Sequence, residues 1–389
     1  MTEPRILGMG PCKVMCIIGT RPEAIKMAPV IRAISKCPSL HAHVLMTGQH
    51  REIAAQALES FGILQLNWLK IAKGCHDLAD QAGELLKGIR KHISEHHPEY
   101  VLTHGDTTTG FVGALAAFYG SVAVGHVEAG LRSGDLYDPF PEEANRRLAD
   151  QLCHRMFAPT SIARDNLLRE GISSDKILTT GNTVVDAVRH LAREIKPARE
   201  LAELQGVLGP EKRIALVTTH RRENWGQPMR NICNAIKRSL NAHTDLQVVL
   251  PVHPNPAVKD VVVSVLEKVP RVHLVEPLSY ETLIALERDA DLILTDSGGI
   301  QEEAPEFGTP LLILRKTTER PEALTSGFAK LVGTNQKAIV DEVARILRSD
   351  QTKVDRKNPF GDGHASQRIA QAVETHINST HDIKIRNVG

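Results

Sequence analysis

Three acids lie where short apolar runs give way to new helices. They are Asp106 in Gly105-Asp106-Thr107-Thr108-Thr109-Gly110, Glu128 in His126-Val127-Glu128-Ala129-Gly130-Leu131-Arg132, and Glu142 in Pro139-Phe140-Pro141-Glu142-Glu143-Ala144-Asn145-Arg146. Each alone has an ordinary explanation: Asp106 serves as well for a helix N-cap, and Glu142 and Glu143 complement a helix dipole. Alternation at the strand end leaves His126 and Glu128 on one side and Val127 on the other. Taken together, carboxylates on successive strand-to-helix turns project toward one crevice, an arrangement suited to proton transfer.

A second set of turns offers cations and bare backbone. Gly19-Thr20-Arg21-Pro22-Glu23-Ala24-Ile25-Lys26 opens a helix with Pro22 in its first turn. Arg21 and Lys26 there can face a phosphate or sugar oxygen, or stand as solvated charges. The turn is not G-x-G-x-x-G, so a dinucleotide cofactor loses its main support. Thr219-His220-Arg221-Arg222-Glu223-Asn224 sets a histidine beside two arginines, which disfavours its protonated form and leaves a neutral donor or acceptor near an anion. His253, between Pro251-Val252 and Pro254-Asn255, is open to a structural or a functional role. The apolar run 292–295 leads through Asp296 into Ser297-Gly298-Gly299 and a helix. Backbone N–H groups there can approach a diphosphate at the helix's positive end, the alternative being a tight turn and nothing more. Glu303, one turn further, can accept from ribose hydroxyls, and Arg320 in Thr317-Thr318-Glu319-Arg320-Pro321-Glu322 can add a fork-shaped cation.

Such turns work together only if a scaffold holds them on one edge. Runs rich in Val, Ile and Leu predict strands at 13–19, 44–47, 100–104, 122–127, 156–158 and 177–180, alternating with helical spacing at 24–34, 51–61 and 78–93. The pattern lapses between 194 and 212, a segment with Pro197, Gly206, Gly209 and Pro210. It restarts with strands at 214–219, 247–251, 272–275, 292–295 and 311–314. This alternation predicts two α/β units with doubly wound parallel sheets, whose ligands sit beyond the carboxyl ends of the strands. A last helix is expected over 365–377, with a loose polar tail from Asn378.

Composition narrows the function. The 389 residues are 42% hydrophobic and 24% charged, ordinary for a globular chain of two or three domains at about 150 residues each. A net charge of +1 gives no one-sided field to draw the chain onto nucleic acid or an anionic membrane. Aromatics at 4% argue against base-stacking platforms and broad aromatic sugar-binding faces and leave small polar ligands open. Cysteines at 12, 16, 37, 75, 153 and 233 form neither a C-x-x-C pair nor a zinc-spaced cluster, so the expectation is reduced thiols and no metal. With no apolar stretch near the roughly 20 residues of a membrane span, and an acid and proline in place of a leader pattern, the expectation is a soluble cytoplasmic protein.

The ordered set GTRPEAIK (19–26), HGDTTT (104–109), HVEAGLR (126–132), PEEANR (141–146), GNTVVDA (181–187), THRREN (219–224), PVHPN (251–255), DSGGIQEEAPEFG (296–308) and TTERPEA (317–323) resembles the non-hydrolysing UDP-N-acetylglucosamine 2-epimerases, from about residue 13 to residue 377. The resemblance implies a GT-B fold with an interdomain cleft. An N-terminal Rossmann-like domain would span 13–194, completed by a C-terminal helix at 363–378, and a UDP-binding domain 213–362. It implies reversible interconversion of UDP-GlcNAc and UDP-ManNAc by anti-elimination of UDP through 2-acetamidoglucal. The product would supply surface polysaccharide synthesis, with neither metal nor NAD required, and the enzyme would be a homodimer.

By match to the motifs, Asp106, Glu128 and Glu142 would be acid/base carboxylates and His220 would assist phosphate departure. Arg21 and Lys26 would contact nucleotide or sugar, Ser297, Gly298, Gly299 and Arg320 the diphosphate, and Glu303 the ribose. Gln49, Arg221 and His253 would suit a second, activating UDP-GlcNAc. Rivals on the same scaffold are a glycosyltransferase, an epimerase of another nucleotide sugar, and an idle UDP-sugar-binding regulator.

Overall fold

A computed structural model describes residues 10–48, 51–70, 77–194, 206, 208, 213–349 and 353–386. Most of segment 194–212, where the sequence pattern lapses, lies outside the described residues, as does Gln49. The chain divides into two compact units. One is built from the residues up to Ala187 together with those from Gly361 onward, the other from Val188–Phe360.

The first unit is a seven-stranded sheet of β1 (Cys12–Ile18), β2 (Leu40–Met46), β3 (Asn67–Trp68), β4 (Tyr100–His104), β5 (Ala123–Val127), β6 (Arg155–Ala158) and β7 (Ile177–Thr179). All neighbours are parallel, in the order β3-β2-β1-β4-β5-β6-β7. Parallel pairing demands long crossovers. These are α1 (Arg21–Ser35), α2 (Arg51–Glu59), α3 (Leu78–His96), α4 (Thr108–Tyr119), α5 (Glu142–Leu152) and α6 (Ser161–Arg169), and α7 (Thr183–Glu194) follows β7. Because helices cover both faces, β1 and β4 are buried almost throughout and read as continuous apolar runs. Met15, Ile17, Val101 and Val124 pack against Leu85, Ile89 and Val112 of α3 and α4. The C-terminal helix, Ala365–Arg386, packs on α1 and buries Ile369, Val373 and Ile377.

Two expectations need correction here. The C-terminal helix does not end near 377: it runs to Arg386, with the Ser379 and Thr380 hydroxyls donating back to the His376 carbonyl at 2.8 and 2.9 Å. The polar stretch from Asn378 thus continues the helix instead of forming a loose tail. Strand β2 begins at Leu40 and not at 44, since the histidines at 41 and 43 hid its first half.

The second unit repeats the plan with β8 (Arg213–Thr218), β9 (Leu246–Pro251), β10 (Val272–Val275), β11 (Leu292–Thr295), β12 (Leu311–Ile313) and β13 (Ala329–Leu331), ordered β10-β9-β8-β11-β12-β13 and again parallel. Its helices are α8 (Gln227–Ala242), α9 (Pro256–Leu266), α10 (Tyr280–Asp289), α11 (Gly298–Glu303), α12 (Pro321–Thr325) and α13 (Gln336–Leu347). In each sheet the strand order reverses beside the first strand, between β1 and β4 and between β8 and β11. A crevice opens at such a switch point. Among the described residues, no helix is long and apolar enough to cross a membrane.

Candidate active site

At the switch point of the first unit, two turns are stapled by one acid. Glu23 accepts from the backbone N–H groups of Gly19 and Thr20 at 2.8 and 2.6 Å, and from the Thr107 hydroxyl at 2.5 Å. Burial raises its carboxyl above the ordinary value even with these donors. The turns approach so closely that a Cβ on Gly19 would lie 2.4 Å from the Thr109 hydroxyl. Thr107 is the N-cap of α4, its hydroxyl accepting from the Gly110 N–H at 3.1 Å, so Asp106 is not needed for that role. Asp106 keeps a one-third exposed side chain, paired with Arg146 of α5, and its carbonyl accepts from Asn145 at 3.0 Å.

Glu128 is buried beside this turn. Its Oε1 meets the Lys26 ammonium at 2.5 Å and the Asn182 amide at 3.2 Å, and its Oε2 lies 3.0 Å from His104 Nε2. It sits at φ 67°, in the left-handed region that costs a residue with a Cβ on the order of 1 kcal/mol or more. Sites of function are where such strain is retained. A charged network beneath holds the neighbouring turn. His126 Nε2 donates to the Gly105 carbonyl at 2.7 Å, its Nδ1 meets Asp150 at 2.7 Å, and Asp150 also accepts from Arg132 at 2.7 Å. Both ring nitrogens face pure acceptors, so His126 is an imidazolium. Burial opposes that charge, but the Asp150 carboxylate outweighs it and raises the His126 pKa. Asp150 is lowered in return, burial being outweighed by His126 and Arg132.

The pair Glu142 and Glu143 divides clearly. Glu143 is buried and accepts from the Ser133 N–H at 2.9 Å and from Arg147 at 3.0 Å, which makes it part of the frame. Glu142 is partly exposed, one turn ahead of Arg146 on the same helix. Through Arg146 and Asn145, helix α5 thus ties the turn holding Asp106 to the turn holding Glu142.

The second unit has a matching centre. Asp296, fully buried at the end of β11, accepts from the backbone N–H groups of His220 and Arg221 at 3.0 and 3.1 Å and from Asn224 at 2.9 Å. His220 Nδ1 lies 3.3 Å from the same carboxylate, and its ring stacks on exposed His253 with centroids 6.0 Å apart. Burial first, then Arg221, His253 and Arg315, lower the His220 pKa against the pull of Asp296. Arg221 Nε is buried with no hydrogen-bond partner among the described residues.

Ser297 stands at the N-cap position of α11, and a Cβ on Gly298 would stand 3.0 Å from the guanidinium carbon of Arg320. Arg320 is aimed by Glu302 at 2.9 Å and Glu319 at 3.2 Å. Arg315 and Arg320 bring Glu319 down to about 2, overcoming its burial. Glu303 reaches back beside Gly299 and accepts from the Tyr280 hydroxyl at 2.9 Å. Glu287 lies buried against it, its carboxyl raised by burial and by the Glu303 charge. Arg21, at the first position of α1, is partly exposed.

Within the first unit, then, Lys26 and Glu128 are in contact, Gly105 of the turn holding Asp106 lies near the Glu128 carboxylate, and Glu142 lies on the helix that grips Asp106. In the second unit, Ser297, Gly298, Gly299, Glu303 and Arg320 surround one helix start, with His220, Arg221 and His253 on the next two strand ends. The residues that sequence reasoning missed are Glu23, His104, Arg146, Asp296, Tyr280 and Glu287. All but Tyr280 and Glu287 stand inside the motifs quoted above, but their partners are distant in sequence.

The sequence profile described as UDP-N-acetylglucosamine 2-epimerase matches residues 32–374. The chain is similar to the UDP-N-acetylglucosamine 2-epimerase of Escherichia coli O157:H7, with 46% identity over 369 residues, 93% of this chain and 98% of the relative. It is also similar to the crystal structure of the Neisseria meningitidis UDP-GlcNAc 2-epimerase bound to UDP-GlcNAc, with a TM-score of 0.87, 40% identity, and coverage of 93% of this chain and all of the other. The Methanocaldococcus jannaschii enzyme, in complex with UDP-GlcNAc and UDP, gives a TM-score of 0.81 and 35% identity over 93% of this chain and 99% of its own. Two Rossmann-like parallel sheets in a chain with these neighbours make the fold GT-B. The chain belongs to the UDP-N-acetylglucosamine 2-epimerase family, and its activity is that of an isomerase.

Proposed function

We propose that the chain interconverts UDP-GlcNAc and UDP-ManNAc without hydrolysis. A carboxylate among Asp106, Glu128 and Glu142 takes the C2 proton while the C1–oxygen bond breaks on the opposite face, releasing UDP and leaving 2-acetamidoglucal. UDP then adds back at C1 and a proton returns to C2 from the other side. His220, placed against Asp296, assists the departing phosphate. Ser297, Gly298, Gly299 and Arg320 hold the diphosphate, Glu303 the ribose, and Arg21 and Lys26 the nucleotide or sugar. Charge that develops on the leaving group is met by fixed donors and cations.

The observation that carries this reading is the Glu128 carboxylate, in a left-handed conformation between Lys26 and His104. A strained, buried, paired acid at a strand end is costly for folding alone and useful for moving a proton. Arg221, with its unpartnered Nε, and His253 suit a second nucleotide sugar as activator. The reading also takes the protein as a cytoplasmic homodimer whose product feeds polysaccharide synthesis, supported by the family resemblance. The test is incubation with UDP-GlcNAc in D2O without any acceptor. UDP-ManNAc carrying deuterium at C2 is the expected product. A glycosyltransferase or an idle binder would give no exchange, and that outcome would end the proposal.

A further inference from the structure

The histidines of α3 and β2 form a cluster that the epimerase chemistry does not use. His92 and His96 are four residues apart on α3 and so share a face, while His43 points to them from β2. One nitrogen from each ring can be chosen so that all three lie within 4.8 Å of one another, and the closest pair, His43 Nε2 and His92 Nε2, are 2.8 Å apart. Ring centroids are 4.1 to 5.1 Å apart, with planes tilted by 33 to 40°, so the rings converge on their nitrogens rather than lie flat on one another. A tetrahedral ion with bonds near 2.0–2.1 Å spaces its nitrogen ligands by about 3.3 Å, within reach of small ring rotations.

From this convergence we propose that His43, His92 and His96 form a site for a divalent transition metal of the zinc class, clasping the C-terminal end of α3 to β2. Three imidazoles suit zinc, cobalt, nickel or copper far better than magnesium or calcium, whose ligands are oxygens. His43 Nε2 and His92 Nε2 share one hydrogen bond at 2.8 Å, whose proton an incoming ion displaces. The surroundings favour occupancy. The last turn of a helix carries negative dipole charge, which attracts a cation. The acid facing the cluster is Glu95, and the opposing cation is Lys13, whose ammonium is held on the His96 carbonyl at 2.6 Å. The cluster is far along α3 from the catalytic turns, because α3 ends where the chain enters the start of β4, whereas Asp106 follows the end of that strand. The inference stands independently of the proposed reaction.

The test is cobalt titration of untagged, chelator-stripped full-length protein, followed by visible absorption and by calorimetry. One cobalt per chain with tetrahedral d–d bands is expected, displaced by zinc, and zinc should raise the thermal midpoint. His92→Gln and His96→Gln, at half-buried positions that tolerate change, should each weaken uptake by more than roughly tenfold while leaving deuterium exchange and circular dichroism at wild-type levels. Absence of stoichiometric uptake by the wild type would overturn the site, as would equal uptake by both variants.

Discussion

Glu142 and Glu143 are adjacent and chemically identical, yet their surroundings assign them opposite tasks. Glu143 is closed in by Ser133, Arg146 and Arg147, whereas Glu142 is partly exposed at the start of the helix. Glu142→Gln should lower turnover on the order of 10²-fold with stability unchanged within about 0.5 kcal/mol. Glu143→Gln should instead cost about 2–3 kcal/mol in urea unfolding, because buried donors lose a charged acceptor. Equal stability losses in the two variants would refute the division. Lys26 offers a sharper case. Lys26→Met leaves the Glu128 carboxylate buried without its cation, and the expected loss is about 3 kcal/mol by denaturant titration.

At the scale of elements, the strand-end turns are held by close approach. Gly19→Ala would set a Cβ 2.4 Å from the Thr109 hydroxyl and 2.9 Å from its Cβ. The expected cost is about 1–3 kcal/mol, partly recovered by adding Thr109→Ala, as a double-mutant cycle would reveal. Strictly additive losses would mean the two turns do not constrain each other. The strands that carry these turns were legible because a sheet covered on both faces writes long apolar runs, as in 100–104 and 292–295. Strand β3, at two residues, is too short to leave a period. The first half of β2 was hidden by His41 and His43, polar residues on a strand. The candidate acids could be read from their positions after strands. Glu23 and Asp296 could not, because Thr107 and Asn224, which they hold, are 84 and 72 residues away along the chain. The contrast between Glu142 and Glu143 depends on burial, which no spacing encodes.

For the whole molecule, the charged network under the first unit's turns links stability to pH. The folded-state pKa of His126 is raised above its ordinary 6.5, so its contribution is fully present below that value and is lost as pH rises through the folded pKa. Asp150, lowered, contributes above its unfolded value and is lost as pH falls through the folded one. His43 and His220 are shifted down and act in the opposite sense to His126, so the comparison must be between variants. The stability gap between wild type and His126→Gln should shrink as pH is raised above about 6.5, measured by thermal unfolding. A gap that widens would mean that His126 is neutral in the native state.

The family sets the reaction class, and the division of labour between two strand-end centres is the central proposal: acids of the first unit move the C2 proton and the second unit grips UDP. Its most direct test is the rate of C2 deuterium wash-in by Asp106→Asn and Glu128→Gln, with UDP affinity measured on the same preparations. Wash-in should fall by at least about 10²-fold in both, with UDP affinity within roughly threefold of wild type. Wash-in at the wild-type rate in both variants would contradict the assignment of proton transfer to these acids.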